Sequence, residues 1–300
     1  MLHALSLIAA TLSLAGQDTV PARARPDTLE TVVVQATRAG AATQTSQSVL
    51  ARPAIERVQA GQDAPLLLQG LPGVTVTSDA GGYSGYSYLR LRGIDQTRLT
   101  ISLDGVPLND PEDQVLYFSN VPDFMNSIQS VRVQRGVGTS GFGTASFGGS
   151  LSFESLPIAT TPRFAELQLT GGSHGTSRTS LEAATGLTGR FAAYGRASAQ
   201  TTDGYRDHSG NDAWSGFLSA GWFGARDAVK LTGFAGRSKT QLAYYAASEA
   251  DLALDRRTNP MLPEEKDDFR QEMISLQYTR DLGGNALVTA TGYRNSAGGN

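Results

Sequence analysis

The feature that most constrains the fold is an alternation of apolar and polar residues in the second half of the 300-residue chain. In the segment 164–170, Leu167 and Leu169 alternate with Glu166 and Gln168. Successive side chains of a β-strand point to opposite faces, so such a segment predicts a strand with one apolar and one polar face. The predicted strands are 164–170, 177–187, 191–200, 214–222, 229–235, 271–281 and 285–295.

The connections between these strands follow a regular rhythm. Short turns at 188–190, 224–227 and 282–285 alternate with long polar loops at 201–212 and 238–269. β-Barrels of the outer membrane have short turns on one side, long loops on the other, and an apolar exterior that alternates with a polar interior. A large soluble β-sandwich also alternates, but it does not predict this rhythm. The pattern therefore favours antiparallel transmembrane barrel strands.

Composition excludes several classes of protein. The chain has no cysteine, which excludes disulfides and thiolate metal sites, and its net charge of −3 gives no broad field that would favour nucleic acid. Only 18% of the residues are charged and 34 are glycine, which suits a strand-rich and turn-rich protein. No pattern resembles a catalytic triad or a zinc site, so we expect neither an enzyme nor a bound cofactor.

The first residues have the pattern of an export signal. Met1–Ala15 is apolar and uncharged, and it ends in small residues, which predicts a signal peptide over 1–16 that is cleaved near Ala15 or Gly16. A signal normally begins with Lys or Arg, and this one has only His3 and the terminal amine, so a short buried helix is the alternative. No later segment has the roughly 18 continuous apolar residues of a membrane helix.

Residues 17–48 are predicted to be a linker that contains one extended segment. Within 29–38, Val32, Val33 and Val34 form a β-prone cluster between polar flanks. An isolated extended segment can add as a strand to the sheet edge of another protein. The pattern is equally consistent with an ordinary edge strand of the domain that follows.

Residues 49–156 are predicted to form a compact α+β domain. Asp63 is placed to be the N-cap of a short helix that ends at Gly70. Asp104 and Gly105 form a strong turn signal, and 110–126 is predicted to hold a loop and a short helix. The predicted strands of this domain are 74–77, 88–92, 99–103, 129–134 and 150–153.

Two stretches of this domain carry a family resemblance. Leu91–Leu108, with its Arg-Gly-Ile-Asp and Leu-Asp-Gly-Val-Pro sequences, and Ile128–Phe153, with its Val-Arg-Val-Gln-Arg-Gly sequence, resemble the plug domain of TonB-dependent outer-membrane receptors. The resemblance implies a plug over 49–156 and a barrel that begins at 157–300. Plugged transporters use about 22 strands, so seven strands predict an incomplete barrel and an N-terminal fragment of a longer protein.

The resemblance also implies a function and partners. It identifies Glu30, Thr31, Val32, Val33 and Val34 as the TonB box, the segment that would pair with the TonB protein of the inner membrane. A receptor of this kind lies in the outer-membrane lipid of a Gram-negative cell and imports a scarce ligand, and a ferric siderophore is our expectation. Cobalamin, haem, another metallophore or an oligosaccharide are the alternatives. A passive porin or adhesin would lack both the plug and the box.

Four tyrosines are the candidate ligand contacts. Tyr83, Tyr86 and Tyr88 lie in a glycine-rich stretch, and Tyr117 follows an acidic loop. Aromatic rings on such loops suit a planar, partly aromatic siderophore. The acids of 109–117 resemble metal ligands, but carboxylates in a loop more often serve as capping groups or are solvated, so no metal site is predicted.

Charged residues are predicted to join the plug to the barrel. The plug arginines that project from their strands are Arg90, Arg92 and Arg132. Strand parity places Glu166 and Glu182 on the polar side of the barrel strands, where these arginines could pair with them. The alternative is that both glutamates pair with barrel arginines such as Arg178 or Arg196.

Overall fold

The computed structural model describes residues 8–13, 46–110, 112–136, 147–283 and 286–300. It shows an α+β domain that lies against one face of an eight-stranded antiparallel sheet. One strand of the large sheet, Ile8–Ser13, precedes the domain, and its other strands follow one another in sequence order from residue 164 onward.

The α+β domain contains two short helices and two small sheets. Its elements are β2 (Gln47–Ala51), α1 (Arg52–Val58), α2 (Ala64–Leu68), β3 (Val74–Ser78), β4 (Ser87–Leu91), β5 (Ile94–Asp95), β6 (Leu99–Leu103), β7 (Val106–Pro107), β8 (Ile128–Arg135) and β9 (Gly149–Ser155). One sheet has the order β2-β8-β9-β6-β7, in which β6 and β9 are parallel, and the other has the order β3-β4-β5. All five strands predicted for this domain are present.

Local sequence accounts for most of these elements. Helix α2 begins directly after Asp63, but the Asp63 carboxylate makes no capping hydrogen bond and accepts from Ser87 Oγ instead. The turn between β6 and β7 has positive φ angles at Asp104 and Gly105, as a tight hairpin turn requires. The predicted domain start at residue 49 is late, because β2 begins at Gln47 on polar residues that carry no apolar signal. The helix expected within 110–126 is instead two 3₁₀ turns, Phe118–Asn120 and Phe124–Ser127.

The hydrophobic core extends from the domain into the large sheet. Phe124 packs edge-on against Phe153 in β9, with ring centroids 5.2 Å apart. The same ring contacts Phe234 of the large sheet at 5.9 Å. Tyr194 and Phe217, also from the large sheet, are buried in the same cluster. One continuous core therefore joins the two parts of the molecule.

The large sheet is an antiparallel meander. Its strands are β1 (Ile8–Ser13), β10 (Phe164–Gly171), β11 (Ser177–Ala184), β12 (Phe191–Thr202), β13 (Asn211–Phe223), β14 (Asp227–Gln241), β15 (Lys266–Gly283) and β16 (Ala286–Gly299). All seven strands predicted from 164 onward are present. Strand β14 and strand β15 each extend past the predicted boundary into the loop that was predicted at 238–269. That loop is 242–265 in the structure and carries the short helix α3 (Glu249–Leu254).

The two faces of this sheet differ as the alternation predicts. Leu181 and Leu218 point outward and are about half exposed, whereas Glu182 and Tyr194 face the domain and are only 1% exposed each. The face that carries the polar residues is covered by the α+β domain, and the other face carries exposed apolar side chains.

The N-terminal segment of the described chain is extended. Ile8–Ser13 pairs antiparallel with β10 and forms an edge of the large sheet, so these residues are a strand and not the helix considered as the alternative to a signal. Cleavage of residues 1–16 stays a prediction. None of the helices in the described part of the chain has the length and apolar character that a membrane span requires.

Candidate functional site

A large cavity lies between the α+β domain and the end of the large sheet from which loop 242–265 leaves. Its volume is about 790 Å³. Side chains from both parts of the molecule line it, so neither part forms it alone. The lining residues are Asp79, Tyr86, Tyr88, Asp110, Glu112, Asp113, Val115, Tyr117, Asn120, Leu242, Tyr244, Asp267, Phe269, Gln271 and Ala297.

Three of the four predicted ligand-contact tyrosines meet in this cavity. The rings of Tyr86 and Tyr88 are nearly parallel, at 8°, with centroids 6.5 Å apart. Tyr117 stands edge-on to both, at 5.8 Å from Tyr86 and 6.4 Å from Tyr88. Strand β4 carries Tyr88 and the loop before it carries Tyr86, while Tyr117 comes from the loop after β7. The three rings form a half-buried aromatic cluster, which we call the tyrosine cluster.

The hydroxyls of this cluster donate to carboxylates. Tyr86 Oη donates to Asp267 Oδ2 at 2.7 Å, and Tyr117 Oη donates to Asp113 Oδ2 at 2.7 Å. Burial raises the pKa of Tyr86, Tyr88 and Tyr117 well above the usual range, and the nearby carboxylates raise it further. The phenols therefore keep their protons at neutral pH and present rings and hydroxyls to the cavity.

The cavity is also rich in carboxylates. Among the described residues that line it are five acidic side chains and no lysine, arginine or histidine. Two of the acids also hold the acidic loop in shape, because Asp110 Oδ1 accepts from the Glu112 N–H at 2.7 Å and Asp113 Oδ1 accepts from the Val115 N–H at 2.9 Å. The capping role expected of these loop acids is therefore present, and the same side chains line the cavity.

Asn120 lies on the wall of the cavity and is almost fully buried. Its side chain is 2% exposed, and its Oδ1 accepts no hydrogen bond from any described residue. The 3₁₀ turn Phe118–Asn120 holds it close to β14, where a Cβ added at Gly236 would collide with the Asn120 carbonyl. A buried amide oxygen without a donor is uncommon.

Arg206 connects the loops around this cavity. Its guanidinium donates to the Asp79 carbonyl at 3.3 Å, to the Tyr245 carbonyl at 2.7 Å and to the Ala243 carbonyl. Asp79 belongs to the α+β domain, whereas Ala243 and Tyr245 belong to loop 242–265. One side chain therefore holds that loop and the domain together beside the cavity.

A second polar contact joins the domain to the sheet in the interior of the interface. Asp123 is 1% exposed and accepts from Arg178 Nη1 at 2.6 Å and from Arg196 Nη1 at 3.2 Å. Gln59 Nε2 donates to the same carboxylate at 2.7 Å. Both arginines come from the large sheet, on β11 and β12. We call these residues the Asp123 contact.

Neighbouring groups add hydrogen bonds around the Asp123 contact, whereas Arg178 Nε and Arg196 Nη2 are buried without a partner among the described residues. Arg196 Nε donates to Ser127 Oγ at 2.8 Å. Tyr194 Oη donates to Glu182 Oε2 at 2.7 Å and lies 3.2 Å from Ser127 Oγ. Glu182 therefore faces the domain, and its closest partner is a tyrosine of the adjacent strand.

The pairing predicted for the plug arginines is wrong. Arg90 is exposed and lies 4.0 Å from Asp95. Arg92 donates weakly to Ser46 Oγ, at 3.4 Å, and Arg132 donates to Gln47 Oε1 at 2.8 Å. These three arginines have partners within the domain because β5 lies beside β4 and β2 lies beside β8. Glu166 lies on the side facing the domain and accepts from Gln168 Nε2 at 2.8 Å. The alternative, in which both glutamates pair with barrel arginines, is also wrong, because Arg178 and Arg196 bind Asp123.

Tyr83 lies apart from the tyrosine cluster. It lines a different cavity of about 470 Å³ together with His174 and Tyr205. Its hydroxyl approaches Gly61, where a Cβ would overlap both it and Arg178. The predicted TonB box, Glu30–Val34, lies outside the described residues. Among the residues that are described, no group of three or more histidine, aspartate or glutamate side chains could hold a metal ion.

The sequence of the α+β domain matches a known family. The family described as TonB-dependent Receptor Plug Domain matches residues 40–150. This range includes β2 to β8, the tyrosine cluster and Asp123. A comparison with curated proteins returned no match.

Solved structures show the same fold for the plug and the sheet together. The ferric citrate transporter FecA, in its unliganded form, has a TM-score of 0.72 and 18% identity over 84% of this chain and 40% of its own. The ferric-catecholate import receptor Fiu from E. coli K12, in its open form, has a TM-score of 0.66 and 18% identity over 85% of this chain and 39% of its own. The copper transporter OprC has a TM-score of 0.65 and 20% identity over 84% of this chain and 37% of its own.

A plug domain set against an antiparallel sheet of this kind defines the class of TonB-dependent receptors. Residues 40–150 belong to the plug-domain family of these receptors, and the chain spans about two fifths of the length of the solved structures it matches. The large sheet is accordingly part of a barrel wall, and among the described residues it does not close.

Proposed function

We propose that the protein is an outer-membrane receptor that imports a scarce ligand with energy supplied through TonB. The observation that carries this proposal is the cavity of about 790 Å³, because the plug and a long loop of the barrel strands form it jointly. A ligand bound there contacts the plug directly. Movement of the plug would therefore change the binding site and the route past it at the same time.

The proposed coupling runs through residues 29–38. Glu30–Val34 is a short β-prone segment that precedes β2, and β2 is hydrogen-bonded to β8 in the middle of the plug. Strand addition to TonB would use main-chain hydrogen bonds along Val32–Val34. Force applied to this segment would reach the plug sheet through β2. Export through a signal over residues 1–16 would deliver the protein to the outer membrane.

A ferric siderophore is the proposed ligand class. In support, the names of two similar structures refer to ferric catecholate and ferric citrate, although a third is named a copper transporter. Cobalamin, haem, another metallophore or an oligosaccharide remain the alternatives. A knockout strain and the same strain carrying the intact gene would be grown under iron starvation on a panel of siderophores. A siderophore that supports growth only when the gene is present is the ligand. The absence of any iron phenotype would contradict the siderophore proposal.

The coupling proposal is tested by substituting Val33→Pro. Proline removes a backbone donor and blocks strand pairing, so ligand transport should be lost while ligand binding to purified receptor stays unchanged. Thr43→Pro, in the same linker but outside the segment, is the matched control and should transport normally. Transport that survives Val33→Pro would show that Glu30–Val34 is not the TonB-binding segment.

A further inference from the structure

We propose that the cavity beside the tyrosine cluster selects a positively charged ligand that donates hydrogen bonds, which in an importer of this kind means a cationic metal chelate. The proposal deepens the proposed function, on which it rests, by naming the charge of the ligand. Binding can be measured without transport, so the two proposals can fail independently of each other. Two features of the cavity support it: its charge and its rings.

The first feature is the sign of the charges on the cavity wall. Its five acidic residues are Asp79, Asp110, Glu112, Asp113 and Asp267. Arg206 donates to the main-chain carbonyl of Asp79 from outside the cavity, and its positive charge also acts on the nearby Asp79 carboxylate. No described lining residue carries a positive charge that would offset the other four. An anionic ligand would be repelled here, whereas a cationic one would be attracted and steered inward.

The second feature is the tyrosine cluster. The face of a phenol ring carries partial negative charge and attracts cations. Tyr86 and Tyr117 direct their hydroxyl protons to Asp267 and Asp113, so their rings and the carboxylates act on a ligand from the same side. A cation with some apolar surface satisfies the rings and the acids together, which a small hydrated metal ion does not.

A neighbouring cavity shows that this bias is local. It has a volume of about 590 Å³, and its lining includes Lys239, Arg257 and Lys266 as well as Asp207 and Asp212. Charges of both signs are therefore present on the outer loops. Among the described residues that line the cavity beside the tyrosine cluster, the charged side chains are all carboxylates.

Three chelates that differ only in charge test the proposal. Ferrioxamine B has a free ammonium group, its acetylated form is uncharged at that position, and its succinylated form is anionic there. Dissociation constants for the purified receptor would be measured by calorimetry at low and at moderate salt. We expect the cationic chelate to bind about tenfold more tightly than the uncharged one, the anionic one to bind most weakly, and salt to narrow the difference.

Two isosteric variants locate the effect. Glu112→Gln combined with Asp267→Asn removes two charges but keeps an acceptor for the Tyr86 hydroxyl, so the preference for the cationic chelate should shrink. Glu264→Gln is the matched control and should keep the full preference, because Glu264 lies on an exposed part of loop 242–265 and outside the cavity.

Three results would overturn the proposal. They are equal affinity for the three chelates, tighter binding of the anionic form, and no binding of the cationic form. None of them bears on TonB coupling, because Val33→Pro tests that step by transport alone. Both proposals would be supported if Val33→Pro loses transport and the cationic chelate still binds most tightly and the anionic one most weakly.

Discussion

At the Asp123 contact, a buried plug carboxylate meets two buried arginines of the large sheet, with distances of 2.6 Å and 3.2 Å. In the outer cavity, five acidic residues line open space, and no described lining residue is basic. Both regions lie between the same two parts of the molecule. The Asp123 contact brings opposite charges together and excludes solvent. The outer cavity places like charges around an open space.

The difference distinguishes a contact that fixes the plug from a site that can bind a ligand. A charge that is already paired and buried has no capacity left for a ligand, and removing its partner is strongly unfavourable. A carboxylate that faces a cavity keeps that capacity, at the cost of repulsion from its neighbours. We infer that the Asp123 contact fixes the position of the plug and that the outer cavity provides the affinity for a ligand.

The largest expected effect follows from Asp123→Asn. Asparagine matches aspartate in shape and tolerates the left-handed backbone at this position, with φ at 57°, so the change mainly removes charge. Arg178 and Arg196 would then be buried without a carboxylate, which we expect to destabilise the plug–sheet contact by about 3–5 kcal/mol. Hydrogen exchange of β11 and β12 in the purified receptor should rise accordingly.

The matched control for this prediction is Asp95→Asn. Asp95 is exposed and lies 4.0 Å from Arg90, so its loss should change stability by no more than about 0.5 kcal/mol. Adding Arg178→Gln to Asp123→Asn should recover part of the lost stability, because one uncompensated charge is removed. Unchanged exchange in Asp123→Asn would break the comparison, since the contact would then not hold the plug.

The next largest expected effect concerns Asp63, whose contribution to the stability of the plug depends on pH. Burial raises the pKa of this carboxyl from 3.8 to about 7, while the Ser87 hydroxyl opposes the rise. From about pH 4 to pH 7 the folded plug keeps the proton that the unfolded chain loses. Stability is therefore full below about pH 4 and falls as pH rises to about 7, by on the order of 4 kcal/mol.

Asp63→Asn should remove this dependence on pH. At about pH 8 the variant should be more stable than the native plug, and near pH 4 the two should be similar. The measurement is urea unfolding of the receptor at both pH values, with hydrogen exchange of α2 and β4 as the probe of the plug. Asp95→Asn should retain the native dependence, and a native plug whose stability rises between pH 4 and pH 7 would contradict the predicted direction.

Strand faces can be predicted from the sequence because alternation records them directly. Parity alone assigns Leu181 and Glu182 to opposite faces, and the structure exposes one and buries the other. The sequence indicates all four tyrosines as ligand contacts by the same criterion, and only the structure brings Tyr86, Tyr88 and Tyr117 together and leaves Tyr83 apart.

The partners across the interface cannot be predicted in the same way. Alternation gives the face of a residue but not what lies opposite, so it does not connect Arg178 and Arg196 with Asp123. Asp123 lies between two 3₁₀ turns, in a segment with no periodicity. Asn120 escapes prediction for a related reason, because an unsatisfied buried oxygen is a property of the assembled fold and leaves no sequence signal.

The smallest expected effect sharpens the outer-cavity side of the comparison. Tyr86→Phe keeps the ring and removes the hydrogen bond to Asp267, which has a length of 2.7 Å. The plug should lose about 1 kcal/mol or less, because Asp267 lies at the cavity and can be solvated. A cationic chelate should bind as well as before or slightly better, since the carboxylate is released toward it. Calorimetry with ferrioxamine B measures this, with Tyr83→Phe outside the tyrosine cluster as the control. A large loss of affinity would show that the hydroxyl, and not the ring and the acid, contacts the ligand.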